Sequence, residues 1–249
     1  MNEQRYQGQE LELFSNATNW KAYLFARLSP HICGDVLEVG AGLGGTTQFL
    51  SAAAHRSWLC LEPDPGLLEK LRGKLAAGEL PSTVTPRQGS LADLPRDPCF
   101  DSVLYVDVLE HIQDDQAELD AASSLLRPGG HLVVLSPANP FLWSELDSAV
   151  GHQRRYQRKT LARLAPAGLE LVILQYLDSV GMLASLVNRL LLKKARPSPR
   201  QLWLWDSVMV RASRVVDGLT RYRLGKSILA VWRRERDALK PGPAASSGR

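Results

Sequence analysis

Cysteine is scarce in this sequence of 249 residues, which contains only Cys33, Cys60 and Cys99. Their number is odd and their spacing wide, and no Cys-x-x-Cys or Cys/His spacing is present, which argues against a disulfide scaffold and a structural zinc. Such cysteine usage favours a reducing compartment, and we expect a cytoplasmic protein. The sequence also lacks the run of about 18–20 apolar residues that crosses a membrane, and its polar first residues do not resemble a signal peptide.

Neither sign of charge dominates, with 30 Lys and Arg against 26 Asp and Glu, but the distribution is uneven. Residues 189–249 contain 15 basic and 4 acidic residues, whereas the first 188 contain 15 and 22. An acidic body with a basic C-terminal part suggests an anionic partner or surface. The length suits one α/β domain with additions and is sufficient for a substantial core.

Apolar runs alternate with helix-like segments along most of the chain. We predict strands at residues 35–40, 57–62, 83–88, 100–108 and 131–137, and two more at 169–178 and 227–233. Short, almost continuously apolar strands are typical of a parallel sheet covered by helices on both faces. An α/β fold class follows, with a helix near residues 16–32 before the first strand and a mostly helical segment over 180–222 before the last.

A glycine-rich loop, GAGLGG (40–45), follows the first predicted strand. Glycine permits positive φ angles and close approach of the backbone to a ligand. The first, second and fourth glycines match the G-x-G-x-x-G dinucleotide pattern, and Glu62 lies where that pattern has its ribose-binding acid, so an NAD(P)-dependent oxidoreductase is one interpretation. Glu38 argues against it, because a carboxylate two residues before the loop repels a pyrophosphate and attracts a cationic ligand.

Five motifs in order resemble those of class I S-adenosylmethionine-dependent methyltransferases. They are VLEVGAGLG (36–44), LEPDP (61–65), GSLADLP (89–95), FDSVLYVDVLEHI (100–112) and LLRPGGHLVV (125–134). The chain is similar to the small-molecule enzymes of the methyltransferase 11 and 12 domain families. This resemblance implies S-adenosyl-L-methionine as the cofactor. It also implies a Rossmann-like, doubly wound, mostly parallel seven-stranded sheet with an N-terminal helix and a helical insertion before the last strand.

The resemblance also assigns cofactor-binding roles. The loop glycines pass close to the methionine part of the cofactor, and Glu38 favours its positive end directly or through water. Glu62 accepts hydrogen bonds from both ribose hydroxyls, which the two oxygens of a carboxylate permit. Relatives often have Asp at the position of Ser90, so the adenine contact rests on the Leu91 amide. The predicted cofactor-binding residues are Glu38, Gly40, Gly42, Gly44, Glu62, Pro63, Ser90, Leu91 and Asp107.

Residues that follow the fourth and fifth predicted strands are candidates for the chemistry on the acceptor. His111 is a candidate general base, with a structural role as the alternative. The long loop predicted over 138–158 leaves the carboxyl end of the sheet, where α/β proteins bind ligands. Its side chains suit an acceptor pocket, a proton relay or the binding of an anion, or they anchor the loop. The predicted catalytic residues are His111, His152 and Tyr156, and the predicted acceptor-binding residues are Trp143 and Arg155. No metal site is expected.

The C-terminal part carries the predictions about partners. Residues 182–194 form a helix-like stretch with apolar residues on more than one face, and the resemblance implies that such an insertion covers the acceptor. Aromatic and basic residues over 201–222 favour an anionic or lipid-like acceptor and peripheral membrane contact, or they form a solvated helix face. No nucleic-acid-binding module is recognisable, so we expect no nucleic-acid partner. The predicted divisions are an N-terminal helical cap (1–33), a methyltransferase core (34–179), a helical insertion (180–224), a closing strand (225–240) and a disordered tail (241–249).

The predicted function is transfer of a methyl group from S-adenosyl-L-methionine to a small or lipid-like metabolite by in-line displacement. Two alternatives stay open: an NAD(P)-dependent oxidoreductase, and a partner subunit that binds the cofactor without catalysis. The Tyr-x-x-x-Lys pair of the sequence, Tyr222 and Lys226, lies well past the fifth strand, after which short-chain dehydrogenases carry theirs. This position disfavours the oxidoreductase.

Overall fold

One seven-stranded sheet forms the centre of the protein, and the computed structural model describes residues 17–95, 97–187 and 198–236. The strands are β1 (Asp35–Val39), β2 (Ser57–Glu62), β3 (Val84–Gln88), β4 (Phe100–Val106), β5 (Leu126–Pro137), β6 (Leu169–Leu177) and β7 (Ser227–Arg234). Their order is β3-β2-β1-β4-β5-β7-β6. The pairs from β3 to β5 are parallel, and β7 is antiparallel to both β5 and β6. The predicted mostly parallel, Rossmann-like sheet is confirmed.

Helices connect the strands and cover the sheet. They are α1 (Thr18–Leu28), α2 (Thr47–Leu50), α3 (Pro65–Ala76), α4 (Asp115–Ser124), α5 (Glu145–Ala149), α6 (Arg158–Arg163), α7 (Ser179–Val187), α8 (Pro199–Leu204) and α9 (Val210–Leu219). A π-helix, Trp205–Met209, joins α8 to α9. Aspartates begin two of the crossover helices: the side chains of Asp64 and Asp114 accept hydrogen bonds from the third amide after each, which satisfies a free N–H of the first turn.

Each face of the sheet has its own core, since successive side chains of a strand point to opposite faces. In β4, Val103 and Tyr105 belong to a core with α4 and α6, whereas Leu104 belongs to a core with α1, α3 and α9. A strand buried on both faces has apolar side chains on both, so its sequence is a continuous apolar run rather than an alternation of polar and apolar residues.

Several predicted boundaries differ from the structure. Strand β5 begins at Leu126 rather than at residue 131. Strand β4 ends at Val106 rather than at residue 108, because Asp107 takes a left-handed backbone conformation with φ of 54°. The helix-like segment after the glycine loop is only the four residues of α2. The predicted loop 138–158 contains α5, whose first turn is closed by reciprocal hydrogen bonds between Ser144 and Asp147.

Buried carboxylates join the residues before β7 to the rest of the protein. Asp206 accepts hydrogen bonds from the backbone amides of Asn19 and Trp20 at the first turn of α1, at 3.2 and 2.8 Å. Asp217 accepts from the Tyr23 hydroxyl at 2.8 Å and from the amide at the end of β6 at 2.7 Å. Helices α7 to α9 are therefore fastened to the N-terminal helix and to the sheet, rather than lying apart from them.

The division into cap, core, insertion and tail stays a prediction. The predicted disordered tail, 241–249, and the first sixteen residues lie outside the described residues. Within the described ranges, no helix is both long enough and apolar enough to span a bilayer.

Candidate active site

A large cavity lies at the carboxyl ends of β1, β2 and β4, the place where α/β proteins bind ligands. Its volume is about 1750 Å³. Typical small-molecule pockets measure roughly 300–1000 Å³, so two molecules fit side by side. Of the predicted site residues, the cavity is lined by Gly40, Gly42, Glu62, Pro63, Asp107, His111, Trp143, His152 and Arg155. Glu38, Gly44, Ser90, Leu91 and Tyr156 lie outside its wall.

Glu62, at the end of β2, holds the glycine loop in place. Its Oε2 accepts a hydrogen bond from the Gly42 amide at 2.7 Å, and its Oε1 accepts from the Asp64 amide at 2.9 Å. Each oxygen keeps capacity for one further bond, as a ribose diol requires. Burial raises the pKa of Glu62, and the two amide hydrogen bonds oppose this rise. Gly42 has φ of 55°, a conformation in which a side chain is strained.

The expected position of Glu38 needs correction. Its side chain is buried beneath the loop and does not reach the cavity: Oε2 accepts hydrogen bonds from the Thr47 hydroxyl at 2.7 Å and from Trp58 Nε1 at 2.8 Å. Burial raises the pKa of Glu38 to about 7 although these hydrogen bonds lower it. Glu38 therefore supports the loop from below through β2 and α2, and its effect on the cofactor stays a prediction.

Three other predicted cofactor residues also lie away from the cavity. Gly44 has φ of 70°, and a Cβ there would be 2.3 Å from Leu71 of α3, so its lack of a side chain serves close packing of the loop on the helix. Ser90 is exposed and donates to Asp93, which closes a short turn. The Leu91 side chain is buried in the core on the α4 side. An adenine contact through the Leu91 amide stays a prediction.

Asp107 follows β4 and faces the cavity. Its left-handed conformation is held by its amide, which donates to the Leu135 carbonyl at 2.9 Å. Burial among protein atoms raises the pKa of Asp107, and the nearby side chains of His152, Lys226 and Arg155 oppose the rise. A strained residue at the end of a central strand is a common feature of functional sites.

Glu110 and His111 lie one turn further along the chain. Glu110 is completely buried, and neither of its carboxylate oxygens has a hydrogen-bond partner among the described residues. Burial, reinforced by the charge of Asp107, raises the pKa of Glu110. Burial and the proximity of His152 lower the pKa of His111 to about 4, so His111 is neutral at physiological pH. The ring centroids of the two histidines are 4.7 Å apart.

Asp147 organises the far side of the cavity. It is buried and accepts from Arg155 through Nε at 2.8 Å and through a terminal nitrogen at 3.0 Å, while His152 Nδ1 lies 2.8 Å from its Oδ1. Burial alone raises the pKa of Asp147, but the hydrogen bonds from His152 and Arg155 outweigh it and hold that pKa well below the usual range. The charge of Arg155 is thus already paired with Asp147, and its role as the binder of an anionic acceptor stays a prediction.

Tyr156 also needs correction as a catalytic candidate. It is buried, and its hydroxyl donates to Asp115 at 2.8 Å, away from the cavity. Burial and this hydrogen bond raise the pKa of Tyr156. Its amide and carbonyl join residues 137 and 139 to the end of the loop, so Tyr156 anchors the segment that carries His152.

Lys226 and Asp178 were missed by the sequence analysis. Lys226 lines the cavity, lies over the Trp205 ring at 3.9 Å and pairs with Asp178 at 3.4 Å. Burial lowers the pKa of Lys226, and Asp178 opposes this. Other basic residues of the C-terminal part contact protein groups, for example Arg234 with backbone carbonyls. A capping pattern, Ser144 with Asp147 three residues later, was the visible signal for Asp147.

The described residues fit an adenosyl cofactor at the loop end of the cavity. Glu62 presents a carboxylate with spare acceptor capacity, Pro63 offers an apolar surface beside it, and the loop backbone is close to the same wall. Another part of the wall is apolar, where α7, α8 and the π-helix contribute Ala184, Leu202 and Trp205. The cavity thus combines polar groups at the loop with an apolar surface.

Comparisons with known proteins agree with this geometry. The family model described as methyltransferase domain matches residues 37–132. The ubiquinone biosynthesis O-methyltransferase of Xylella fastidiosa strain 9a5c is 30% identical over 146 residues, which cover 58% of this chain and 54% of that protein. The norajmaline N-methyltransferase of Rauvolfia serpentina is 26% identical over 132 residues, which cover 53% and 45%. The chain spans about half the length of these curated relatives.

Solved structures with the same fold differ in their chemistry. An S-adenosylmethionine-dependent methyltransferase from Mesorhizobium loti has a TM-score of 0.55 and 17% identity, and the match covers 85% of this chain and 96% of that one. The [4+2]-cyclase SpnF has a TM-score of 0.60 and 15% identity, with coverage of 92% and 95%. At these identities the likeness concerns the fold.

The fold and the cavity together are typical of α/β proteins that bind a nucleoside cofactor, because the cavity lies at the carboxyl end of a doubly wound sheet. The motifs and the matched domain make the assignment narrower: residues 37–132 match the methyltransferase domain, and over about half of its length the chain is similar to curated methyltransferases.

Proposed function

We propose that this chain transfers a methyl group from S-adenosylmethionine to a small, largely apolar acceptor. The observation that supports this most is the single cavity that joins the glycine loop and Glu62 to an apolar wall and to the polar cluster of Asp107, Glu110, His111 and His152. The names of the relatives from Xylella and Rauvolfia indicate small-molecule acceptors for those proteins. An acceptor of that kind suits the apolar surface of the cavity.

Bound S-adenosylmethionine supplies a methyl group on a positively charged sulfur: the acceptor bonds to the methyl carbon, the sulfur–carbon bond breaks with its electron pair left on sulfur, and the acceptor's proton departs. The protein's part is to position, to exclude water and to receive the proton. Glu62 and the loop hold the cofactor end, and Trp143 with the residues of α7 and α8 shields the acceptor. His111 and His152 line the same cavity and would receive the acceptor's proton.

Calorimetric titration separates this proposal from its two rivals. We expect heat from S-adenosylmethionine and from its demethylated product, and none from NADH; the opposite pattern would support the oxidoreductase. Incubation of cell extracts with isotope-labelled cofactor, followed by mass identification of the labelled product, is expected to reveal the acceptor. Cofactor binding without any labelled product would support the non-catalytic partner subunit.

A matched pair of variants locates the cofactor. Gly42→Arg places a long side chain on a loop residue with positive φ and is expected to abolish binding. Gly218→Arg makes the same change in α9, where a Cβ meets nothing within 4 Å, and is expected to bind normally. Unchanged affinity in Gly42→Arg would overturn the assignment of the loop.

A further inference from the structure

Glu110, His111 and His152 bring three potential ligand atoms together at the wall of the cavity. One carboxylate oxygen and two imidazole nitrogens lie within 4.8 Å of one another. They come from two separate segments, the turn after β4 and the residues after α5, so their proximity is a product of the fold. The sequence analysis expected no metal site because these residues do not form a recognisable spacing.

The carboxylate of Glu110 is buried with little compensation. It is 0% exposed, and neither oxygen receives a geometrically complete hydrogen bond from a described residue. Burying an uncompensated carboxylate costs several kcal/mol, so such a group either holds a proton or is accompanied by a positive charge. Arg155 compensates it only in part, because its guanidinium makes two hydrogen bonds to Asp147.

His152 is oriented in the manner of a metal ligand. Its Nδ1 lies 2.8 Å from Asp147 Oδ1, and with the hydrogen on Nδ1 the lone pair of Nε2 is free. That Nε2 lies 3.8 Å from Glu110 Oε1. A lone pair and a carboxylate oxygen that face each other need a proton or a cation between them, and histidines that bind metals commonly donate their other N–H to a carboxylate.

We propose that Glu110, His111 and His152 bind a divalent transition-metal cation such as Zn²⁺, with an open coordination position facing the cavity. Two imidazoles and one carboxylate are the donor set of catalytic zinc sites that keep such a position. Binding of the metal depends on this cluster alone. The catalytic role of the metal rests on the proposed function. A cation beside an acceptor hydroxyl would stabilise the negative charge on its oxygen as the proton leaves, which favours O-methylation.

Cobalt binding to the full chain tests the site without an acceptor. The protein is stripped of metal by a chelator and titrated with Co²⁺, whose visible absorption reports coordination by protein ligands, and Zn²⁺ is then added as competitor. We expect one Co²⁺ per chain, displaced by one Zn²⁺. His152→Gln, His111→Gln and Glu110→Gln are each expected to abolish the absorption, and Asp147→Asn to weaken affinity by roughly 10–100-fold. His55→Gln, whose ring bonds Ala53 and Thr83 far from the cavity, is the matched control.

The outcomes separate this proposal from the proposed function. Absence of stoichiometric Co²⁺ binding, or binding unaffected in both histidine variants, overturns the metal site. Methyl transfer that persists unchanged in the metal-stripped protein overturns the catalytic role of the metal while leaving the proposed function intact. Stoichiometric binding lost in the variants supports the site even if no acceptor is ever methylated. Thermal unfolding of the metal-free variants shows which of them fold, and either histidine variant alone is sufficient for the test.

Discussion

The buried carboxyl of Glu38 makes a quantitative prediction about stability. In the folded protein its pKa is raised to about 7 from 4.5. Between these values the folded state holds a proton that the unfolded state releases, so raising the pH favours unfolding. The destabilisation is absent below the unfolded value and complete above the folded one. At about 1.4 kcal/mol for each unit, its full size is roughly 3 kcal/mol.

Glu38→Gln isolates this effect from the other titrating groups. The amide oxygen of Gln still accepts from Thr47 and Trp58, but the side chain cannot ionise. We expect the free energy of unfolding of the wild type, minus that of Glu38→Gln, to fall by roughly 2–3 kcal/mol between pH 5 and pH 8. Urea denaturation at four or five pH values measures it. Any constant offset between the two proteins is irrelevant, since only the change with pH carries the argument.

Glu69→Gln is the matched control, because the Glu69 side chain is 77% exposed. Its difference from the wild type is expected to stay constant over the same pH range. A constant difference for Glu38→Gln as well would refute the reasoning, since it would mean that Glu38 titrates alike in the folded and unfolded states. A difference that rises with pH would show that the folded protein stabilises the ionised form.

Three further variants test other contacts. Glu62→Gln places an amide N–H against a backbone amide that needs an acceptor, and it also removes one acceptor for the ribose hydroxyls. Affinity for the demethylated cofactor, measured by calorimetry, is therefore expected to fall about 10–100-fold. A change below threefold would contradict the role of Glu62 in binding the ribose. Asp178→Asn leaves Lys226 without its partner and is expected to cost about 3 kcal/mol in urea denaturation; an unchanged midpoint would show the pair to be dispensable. Gly44→Ala is expected to lower stability by about 1–2 kcal/mol through its positive φ, with a further loss from contact with Leu71. In a double-mutant cycle with Leu71→Ala, whose own cavity cost is measured separately, the cost of Gly44→Ala should shrink by only that further loss, and its complete disappearance would refute the backbone part.

The cofactor end of the site could be predicted because its signals are local. A strand, a glycine loop and a strand-end acid occur in order along the chain, and Gly42 and Glu62 meet as the spacing predicts. The role of Glu38 could not be found in this way. The pleat of β1 places Glu38 on the face opposite Leu37 and Val39. Its hydrogen-bond donor Trp58, however, belongs to another strand, β2.

The acceptor end was less predictable, because its contacts join distant segments. Arg155 was expected to meet a ligand, but Asp147 competes for it at a separation of eight residues. The proximity of Glu110 to His152 depends on how the segment after β5 folds back on the turn after β4. Apolar periodicity contains no information about that approach, whereas it did predict the strands of the sheet.

The position of β7 has a consequence for the newly made chain. Of the described strands this one comes last along the chain, yet it lies between β5 and β6 and pairs with both. Until residues 227–234 leave the ribosome, β5 and β6 each present an edge of unpaired backbone groups, and β5 carries a run of apolar side chains over 132–135. Exposed apolar edges recruit strands from other chains. Premature termination shortly before residue 227 would therefore be expected to yield an aggregating product.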